Sequence, residues 1–382
     1  MRIAVVHSFY DPKEPSGENA VVLAQLRALR DRGHEVGLIA RHTGELKKSP
    51  GYPARAALAA AGVHGPDPSR ELSDFAPDVV HVHNLFPNWG SSWLREWGHR
   101  TVVTLHNHRT VCSNALLWRD GGDCHECLDH STLAALEHRC YRKSRLATLP
   151  LAIASRDKGS HSRILHDVAQ VLVLNSGAGV LYAELASAPV KVLPNFVEPS
   201  QSLGLARSTD RIVFVGRLTH EKGILQLIEQ LPEEYGLDVL GDGPLRPDVE
   251  SLADGVRIVF HGQQPPGEVL HAMQSSAALV IPSLWSEGVP TTALEALSSG
   301  TPVVVSKHVA SAEDLTEGGA GEIYDPAEPS HLRNALEKVA AARDGYSSAG
   351  LSLHRRRFSR AAWLQEIESV YSAVAEQAES NG

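Results

Sequence analysis

Two stretches of this chain begin with the same arrangement: a short apolar run, a loop that contains glycine, a helical pattern and a second apolar run. The first covers residues 3–40, and the second begins at Arg211. Short apolar runs that alternate with helical patterns are typical of parallel strands covered by helices on both faces. The repeated arrangement therefore predicts an α/β protein with two doubly wound domains.

Further apolar runs extend each of these beginnings. They cover residues 79–82, 102–105, 171–174 and 190–193 in the first half, and 258–260, 279–281 and 303–305 in the second. Prolines, serines and a glycine interrupt the pattern between residues 194 and 210. We therefore expect an N-terminal domain over residues 1–196, a C-terminal domain over 197–365 and a final helix over 366–382, for which packing back on the N-terminal domain is one arrangement.

Charge and hydropathy exclude several classes of protein. The 382 residues include 36 Lys and Arg against 45 Asp and Glu, which gives a net charge of −9 and argues against a protein that mainly grips nucleic acid. No stretch approaches 18 consecutive apolar residues, and the N-terminus runs directly into a strand pattern rather than a signal peptide. We expect a cytoplasmic protein. The sequence leaves its oligomeric state open.

The loop after the first strand of the second half has the character of an anion site. It runs from Gly216 to Gly223, carries Arg217 and Lys222, and precedes a helical pattern. Backbone N–H groups at a helix start, together with two cations, favour a diphosphate, including one that leaves with developing negative charge. A solvated loop with two incidental cations is an equally good interpretation of the spacing alone.

Two glutamates mark a second segment. Glu287 precedes a predicted helix and Glu295 lies within it, with seven residues between them. Carboxylates accept hydrogen bonds from vicinal hydroxyls, which ribose and hexoses share. Gly288 permits close backbone approach near the helix start. For either glutamate alone, a place on a solvated helix face is the better interpretation, but their shared context favours a binding site.

In combination, these motifs resemble the C-terminal domain of the retaining glycosyltransferases of family GT4, which have the GT-B fold. The resemblance rests on Gly216-Arg217, Lys222-Gly223, Gly241-Asp242-Gly243-Pro244 and the pair of glutamates. It implies two Rossmann-like domains that face each other across a cleft. It also implies that Arg217 and Lys222 hold the nucleotide diphosphate, that Glu295 holds the ribose hydroxyls, and that Glu287 faces the donor sugar.

The resemblance extends to the N-terminal half, where Ser16-Gly17-Glu18-Asn19 is similar to the glycine-rich loop of the family and Ser16 replaces the usual first glycine. It implies a catalytic set that consists of His106, Arg217, Lys222 and Glu287. It implies a donor-binding set that consists of Gly17, Gly216, Gly262, Gln263, Gly288, Val289, Pro290 and Glu295. It implies an acceptor-side set that consists of Ser16, Glu18, Asn19, His83 and Asn84. Without the family, a structural hydrogen bond at a strand end is the better interpretation of His106, and for His83 and Asn84 it is as good as acceptor contact.

The reaction that the resemblance implies is transfer of a glycosyl group, with retained configuration, from a nucleotide sugar, expected to be a UDP-sugar, to an acceptor hydroxyl. The acceptor would be a saccharide or a small natural product, and no catalytic metal is expected. Two alternatives stay open. One is a nucleotide-sugar epimerase or hydrolase of the same fold, and the other is a zinc-stabilised nucleotide-binding module without turnover.

The four cysteines form a separate feature, within an insertion over residues 107–142. They are Cys112, Cys124, Cys127 and Cys140. A Cys-x2-Cys knuckle flanked by two further cysteines suits a structural Zn²⁺ site, and nearby histidines could replace one ligand. Free or redox-active thiols and disulfides remain alternatives. Basic residues between 139 and 163 are consistent with peripheral membrane contact, but a solvated surface is favoured because no apolar anchor is obvious.

Overall fold

The polypeptide forms two six-stranded parallel sheets and one short hairpin in a computed structural model that describes residues 1–11, 17–201, 203–205 and 208–380. In chain order the strands are β1 (Arg2–Phe9), β2 (Glu35–His42), β3 (Val79–Asn84), β4 (Thr101–Leu105), β5 (Trp118–Arg119), β6 (Gly122–Asp123), β7 (Gln170–Val173), β8 (Val190–Val192), β9 (Arg211–Val215), β10 (Gly236–Leu240), β11 (Ile258–Gly262), β12 (Leu279–Ile281), β13 (Val303–Ser306) and β14 (Gly321–Tyr324). The first sheet has the order β2-β1-β3-β4-β7-β8, and the second has the order β11-β10-β9-β12-β13-β14. The α/β prediction is confirmed.

Helices connect these strands. They are α1 (Gly17–Asp31), α2 (Thr43–Leu46), α3 (Tyr52–Ala60), α4 (Ser69–Phe75), α5 (Leu94–Trp97), α6 (Glu126–Asp129), α7 (Leu133–Glu137), α8 (Arg145–Ala154), α9 (Arg163–His166), α10 (Ser176–Leu185), α11 (Ile224–Glu229), α12 (Arg246–Leu252), α13 (Pro266–Ser275), α14 (Thr291–Ser298), α15 (Ala312–Thr316), α16 (Pro329–Ala341), α17 (Arg343–Leu353) and α18 (Arg360–Ser380). Helix α18 thus begins before the predicted residue 366.

The chain divides into two compact units, which we call unit 1 and unit 2. Unit 1 contains residues 1–117, 124–193 and 364–382, and unit 2 contains residues 118–123 and 194–363. The end of the chain therefore belongs to the same unit as its beginning. In unit 1, the ring of Tyr371 in α18 is fully buried, and its hydroxyl lies 2.6 Å from His81 Nδ1 in β3.

Side-chain alternation builds the core of unit 2. Successive residues of β9 point to opposite faces, so Ile212 joins one apolar cluster and Val213 joins another. Val304 and Val303 in β13 divide in the same way. Both faces of this sheet are thus buried in apolar clusters. A fully buried side chain of this size contributes about 1.5–3 kcal/mol to folding. This double burial explains why the strands are continuous apolar runs.

The order of the strands in each sheet identifies where ligands bind in such folds. In the second sheet the order changes direction between β9 and β12, and in the first sheet it changes between β1 and β3. Ligands of open α/β sheets bind beyond the carboxyl ends of the strands at this point. We therefore expect ligand-binding residues after β9 and β12, and after β1 and β3.

Candidate functional site

In unit 2, two residues of the predicted catalytic set form an ion pair. Lys222 follows β9, Glu287 follows β12, and Lys222 Nζ donates to Glu287 Oε1. Ser283 Oγ donates to the other carboxylate oxygen at 2.6 Å. The side chains of Lys222 and Glu287 are 22% and 11% exposed, so their charges are largely removed from water. The structure therefore joins the cationic loop and the first glutamate into one network at the reversal in strand order.

Close backbone approach at this point requires glycine. Gly223 has φ of +71°, and a Cβ added there would lie 2.0 Å from the carbonyl oxygen of Pro282. Gly241 has φ of +143°, and its Cβ would lie 1.8 Å from the carbonyl oxygen of Gly216. No other residue type fits either place without movement of the backbone. These glycines hold the loops after β9, β10 and β12 against one another.

The remaining charged residues of the predicted donor site have no partner in the part of the chain that the structure describes. Arg217 is exposed and makes no ion pair or side-chain hydrogen bond there. The carboxylate of Glu295, half-buried on α14, also has no hydrogen-bond partner among these residues, and burial raises its pKa. One cation and one carboxylate are thus available to a ligand.

Helix geometry around these residues agrees with the sequence. Glu287 lies in the loop before α14 and Glu295 within the helix, as predicted. The loop from Gly216 to Gly223 is followed directly by a helix, as predicted: Gly223 is the N-cap of α11, which begins at Ile224 and has six residues. A 3-10 turn over His220–Lys222 lies inside the loop.

Other predicted donor-side residues lie at loop positions. Pro290 caps the start of α14 and is buried, while Gly288 and Val289 are half-buried beside it. Gly262 ends β11 with φ of +69°, and its carbonyl accepts from the N–H of Gly241 at 2.8 Å. Gln263 is exposed. The structure shows their placement, and their contact with a donor remains a prediction.

Buried polar atoms without a partner lie close to the ion pair. Lys222 Nζ is 6.0 Å from the ring centroid of Trp285, whose indole N–H is inaccessible to water and has no hydrogen-bond acceptor among the described residues. Thr219 Oγ1, in the loop after β9, is also buried and has no hydrogen-bond partner among the described residues. A buried donor without an acceptor costs about 1–3 kcal/mol, so these atoms favour occupation of the site by a polar ligand.

Unit 1 contains a column of buried histidines on two neighbouring strands, β1 and β3, and in the loop after β4. His83 Nδ1 lies 3.0 Å from His106 Nε2, and the rings of His81 and His83 are 4.1 Å apart. His81 is held by Tyr371 and, at 2.8 Å, by Thr104 Oγ1. The structure thus brings the predicted residues His83 and His106 together.

Burial keeps these imidazoles neutral. It lowers the pKa of His81 and His106 to about 3 and of His7 to about 4, and it lowers the pKa of His83 well below its ordinary value. In the contact between His83 and His106, one ring N–H therefore donates to the lone pair of the other ring. The pair can give or accept a hydrogen bond, but neither ring is a proton donor of the imidazolium type at neutral pH.

Acidification is expected to destabilise unit 1. The folded pKa of each buried histidine lies below the unfolded value of about 6.5, so the unfolded chain binds more protons as pH falls below that value. The free energy of unfolding should drop by up to about 1.4 kcal/mol per pH unit for each such histidine. Urea unfolding followed by tryptophan fluorescence at pH 7.5, 6.5 and 5.5 measures this slope.

A pair of variants tests the origin of this slope. His108 is buried, its ring stacks on Tyr182, and burial lowers its pKa to about 4. His108→Phe should therefore reduce the slope, whereas His161→Gln, at an exposed residue, should not change it. Equal stability at pH 7.5 and 5.5 would contradict the assignment.

Glu18 and Asn84 meet beside the end of β1. The residue Glu18 is partly exposed, but its Oε1 is inaccessible and has no hydrogen-bond partner among the described residues. Burial raises the pKa of Glu18 to about 7, against the opposing effects of Asn84 and Arg109. Asn84 Nδ2 also donates to the hydroxyl of Tyr10 at 2.9 Å. This carboxyl can change its protonation state near neutral pH.

Three further acceptor-side or donor-side predictions fall near the start of α1. Asn19 Oδ1 accepts from His7 Nε2 at 3.1 Å, which links it to the histidine column. Gly17 begins α1, is exposed, and a Cβ there would meet no described atom within 4 Å. Ser16 lies outside the described residues.

The zinc prediction for the cysteines is not supported. In the described ranges, no group of three or more His, Cys, Asp or Glu side chains is arranged to hold a metal ion, and none of the four cysteines, Cys112, Cys124, Cys127 and Cys140, forms a disulfide. The thiol of Cys112 instead donates to Asn114 Oδ1 at 2.9 Å. Burial, followed by the effects of the other three cysteines, raises the pKa of Cys127 to about 11. The thiols are thus neighbours without forming a ligand set.

Sequence reasoning missed three residues that the structure places in these networks. Ser283, which binds Glu287, stands two residues after β12, and Arg109 stands four residues after β4. Polar residues just beyond a buried strand were the available signal for both. The third is Tyr371, and no local pattern reveals its hydrogen bond to a histidine 290 positions earlier.

Two family models match the chain, and together they cover residues 15–362. Glycosyltransferase Family 4 matches residues 15–201, and Glycosyl transferases group 1 matches residues 198–362. No helix in the described ranges is both long and apolar enough to cross a bilayer.

Individual relatives are more distant. The D-inositol 3-phosphate glycosyltransferase of Corynebacterium diphtheriae is 24% identical over 320 residues, which are 78% of this chain and 71% of that protein. The 2-deoxystreptamine N-acetyl-D-glucosaminyltransferase of Streptomyces fradiae is 31% identical over 244 residues, which are 59% of this chain and 54% of that protein.

Solved structures share the fold at low identity. Sucrose-phosphate synthase from Thermosynechococcus elongatus superposes with a TM-score of 0.68 at 17% identity and covers 98% of each chain. Anabaena HepE in complex with UDP has a TM-score of 0.61 at 16% identity, with 98% of this chain and 100% of that chain covered.

Proposed function

Because the chain belongs to the family 4, group 1 glycosyltransferases and has their GT-B fold, we propose that it is a retaining hexosyltransferase that uses a UDP-sugar. Unit 2 binds the donor, and unit 1 binds an acceptor that carries a hydroxyl group. The observation that carries the proposal is the Lys222–Glu287 pair at the reversal in strand order, beside Arg217 and Glu295, whose side chains have no partner among the residues that the structure describes.

The charges of unit 2 suit a nucleoside diphosphate sugar. Arg217 is free to approach a diphosphate, and Lys222 can bind it while remaining close to Glu287. Glu295 has an open carboxylate, which accepts hydrogen bonds from the two hydroxyls of a ribose. The buried N–H of Trp285 adds a donor that has no acceptor in the described ranges. UDP is the nucleotide bound in the HepE structure, which supports a UDP-sugar as the donor.

The proposed step needs no side-chain nucleophile. The bond between the anomeric carbon and the diphosphate oxygen breaks, and the acceptor oxygen forms its bond on the same face of the sugar. The acceptor proton passes to the departing diphosphate oxygen, so the atoms and charges balance. Arg217 and Lys222 stabilise the leaving group, and positioning supplies much of the remaining rate enhancement.

The acceptor side would rely on neutral groups. The His83–His106 pair can hold a sugar hydroxyl by a hydrogen bond without adding a charge. Glu18 and Asn84 offer a carboxyl and an amide at the ends of neighbouring elements. The proposed acceptor is a polysaccharide precursor or a small natural product.

A nucleotide-release assay tests the proposal. The protein is incubated with a panel of nucleotide hexoses, first alone and then with hydroxylated acceptors. We expect UDP release that depends on acceptor, and a product that retains the anomeric configuration of the donor by NMR. Release of free or altered sugar in the absence of acceptor would instead indicate the hydrolase or epimerase, and no turnover with any pair would reject transfer.

Replacing Glu295 with glutamine is expected to weaken donor binding. Hydrogen bonds to a charged group contribute about 1.5–3 kcal/mol, so the Kd for UDP should rise about 10-fold to 100-fold. Calorimetry with UDP measures the effect. Glu268→Gln, at an exposed residue of α13, is the matched control and should leave the Kd unchanged. Equal UDP affinity of the wild type and the Glu295 variant would remove Glu295 from the donor site.

A further inference from the structure

Unit 1 contains a cavity of about 360 Å³ that lies beside the histidine pair. His83 and His106 line it, together with apolar side chains that follow β3 and β4 and others from α8 and the segment after it. This volume is at the lower end of the range for small-molecule sites, which suits a ligand of monosaccharide size.

The described side chains that line this cavity include positively charged groups but no carboxylates. Three arginines contribute to it, Arg109, Arg156 and Arg163, and none of its described lining residues is Asp or Glu. Arg163 already forms an ion pair with Asp167. Arg156 is exposed, and its guanidinium donates only to the carbonyl of Ile153, at 3.3 Å, among the described residues. Two guanidinium groups, those of Arg109 and Arg156, therefore form no ion pair with a described acidic residue.

Arg109 is the more constrained of the two. Its guanidinium carbon lies 4.2 Å from the ring centroid of Phe86 and 5.7 Å from that of Tyr141, which fixes the plane of the group. The Nη1 of Arg109 donates to the carbonyl of Ser113 at 3.3 Å. Its Nε is inaccessible to water and has no acceptor in the described part of the chain, and no described carboxylate is within ion-pair distance. Its Nη2 makes no hydrogen bond to a described residue, so this N–H group is the one left to donate to a carboxylate or phosphate.

The carboxyl group of Glu18 does not fully neutralise the charge of Arg109. Glu18 is close enough to Arg109 for the two charges to affect each other, but burial raises the pKa of Glu18 to about 7. A substantial fraction of the Glu18 side chains is therefore uncharged at neutral pH. In its protonated form Glu18 can also donate a hydrogen bond to an anion.

We propose that the acceptor of this enzyme carries an anionic group, a phosphate or a carboxylate, and that Arg109, assisted by Arg156, binds this group in the cavity of unit 1. The inference rests on the proposed function, because it names the class of molecule that receives the sugar. An acceptor anchored at Arg109 would have its hydroxyls within the same cavity as His106.

Calorimetry on the full chain tests the proposal with glucose 6-phosphate, glucuronate, inorganic phosphate and neutral glucose as probes. We expect the best of the anionic probes to bind at least 10-fold more tightly than glucose, and comparison of the phosphates with glucuronate identifies the preferred anion. Arg109→Gln should abolish this preference. Arg109→Lys should recover part of it, since lysine keeps the charge without the planar fork.

Two further variants separate binding from folding. Arg156→Gln changes an exposed residue of the same cavity and should weaken the anionic probes about 3-fold to 10-fold without loss of folded protein. Arg27→Gln, at an exposed arginine of α1, should have no effect. Anionic probes that bind no better than glucose, or a preference that survives in both Arg109→Gln and Arg156→Gln, would overturn the proposal.

Titration with UDP on the same preparations distinguishes failure of the anionic-acceptor proposal from failure of the proposed function. UDP affinity that is retained in every arginine variant, and lowered by Glu295→Gln, leaves donor binding in place while the anion preference is judged separately. Absence of UDP binding in the wild type would remove the proposed function and this inference together.

Discussion

Replacing Lys222 with alanine is expected to lower kcat about 10²-fold to 10³-fold, the loss typical when one stabilising group of a developing anion is removed. Lys222 would lose its contact with the leaving diphosphate, and Glu287 would lose its cation while remaining largely buried. An unpaired buried charge costs up to about 3–5 kcal/mol, so a fall in thermal stability should accompany the fall in rate. UDP release at saturating substrates and thermal unfolding measure the two effects.

Two comparisons separate these effects. Lys307→Ala removes another lysine–carboxylate pair of unit 2, the one with Asp325, but the Lys307 side chain is 48% exposed. It should change stability by about 1 kcal/mol or less and leave kcat unchanged. Adding Glu287→Gln to Lys222→Ala should restore stability without restoring rate. A Lys222→Ala enzyme that keeps half of the wild-type kcat would exclude Lys222 from catalysis.

Replacing Gly223 with alanine is the second large effect that we expect. The new Cβ would lie 2.0 Å from the carbonyl oxygen of Pro282, so the turn that carries Lys222 must move. Gly255 has nearly the same φ, +74° against +71°, but its Cβ would meet nothing described within 4 Å. Gly255→Ala should therefore cost only the strain of a left-handed residue, about 1–2 kcal/mol, and leave UDP binding unchanged.

Gly223→Ala should cost at least about 2 kcal/mol more than Gly255→Ala, because backbone movement is added to the same strain. Because Lys222 immediately precedes the displaced residue, the Kd of the Gly223→Ala variant for UDP should rise about 10-fold or more. Urea unfolding and UDP calorimetry on both variants measure the difference. If the two variants matched each other in stability and in UDP affinity, close packing at Pro282 would play no part in shaping the donor site.

Local pattern predicted best the parallel strands that are buried on both faces. The run at 279–281 coincides with β12, and the predicted run at 102–105 differs from β4 by one residue. Strand β14 was missed because its sequence, Gly-Glu-Ile-Tyr, has no continuous apolar run, and Ile323 is 40% exposed. The final helix begins at Arg360, six residues earlier than expected.

Side-chain pairing is the part of the candidate site that spacing did not reveal. The motifs placed Lys222 and Glu287 near one strand edge, but their direct ion pair depends on how the turn at Gly223 folds. The loss of charge at the buried histidines depends on burial from all sides, which no short segment encodes. The cysteine spacing suggested a metal knuckle, although the arrangement of the thiols in space does not provide one.

The hydrogen bond from the end of the chain to His81 has a consequence for biosynthesis. The side chains of Ile367, Tyr371 and Val374 are buried in unit 1, although they are translated after all of unit 2. On the ribosome, the first sheet can form early, but its histidine column stays incomplete until the final helix emerges. The unit that is synthesised first is therefore the one that matures last, and a nascent chain stalled before α18 would leave that sheet open to proteases and chaperones.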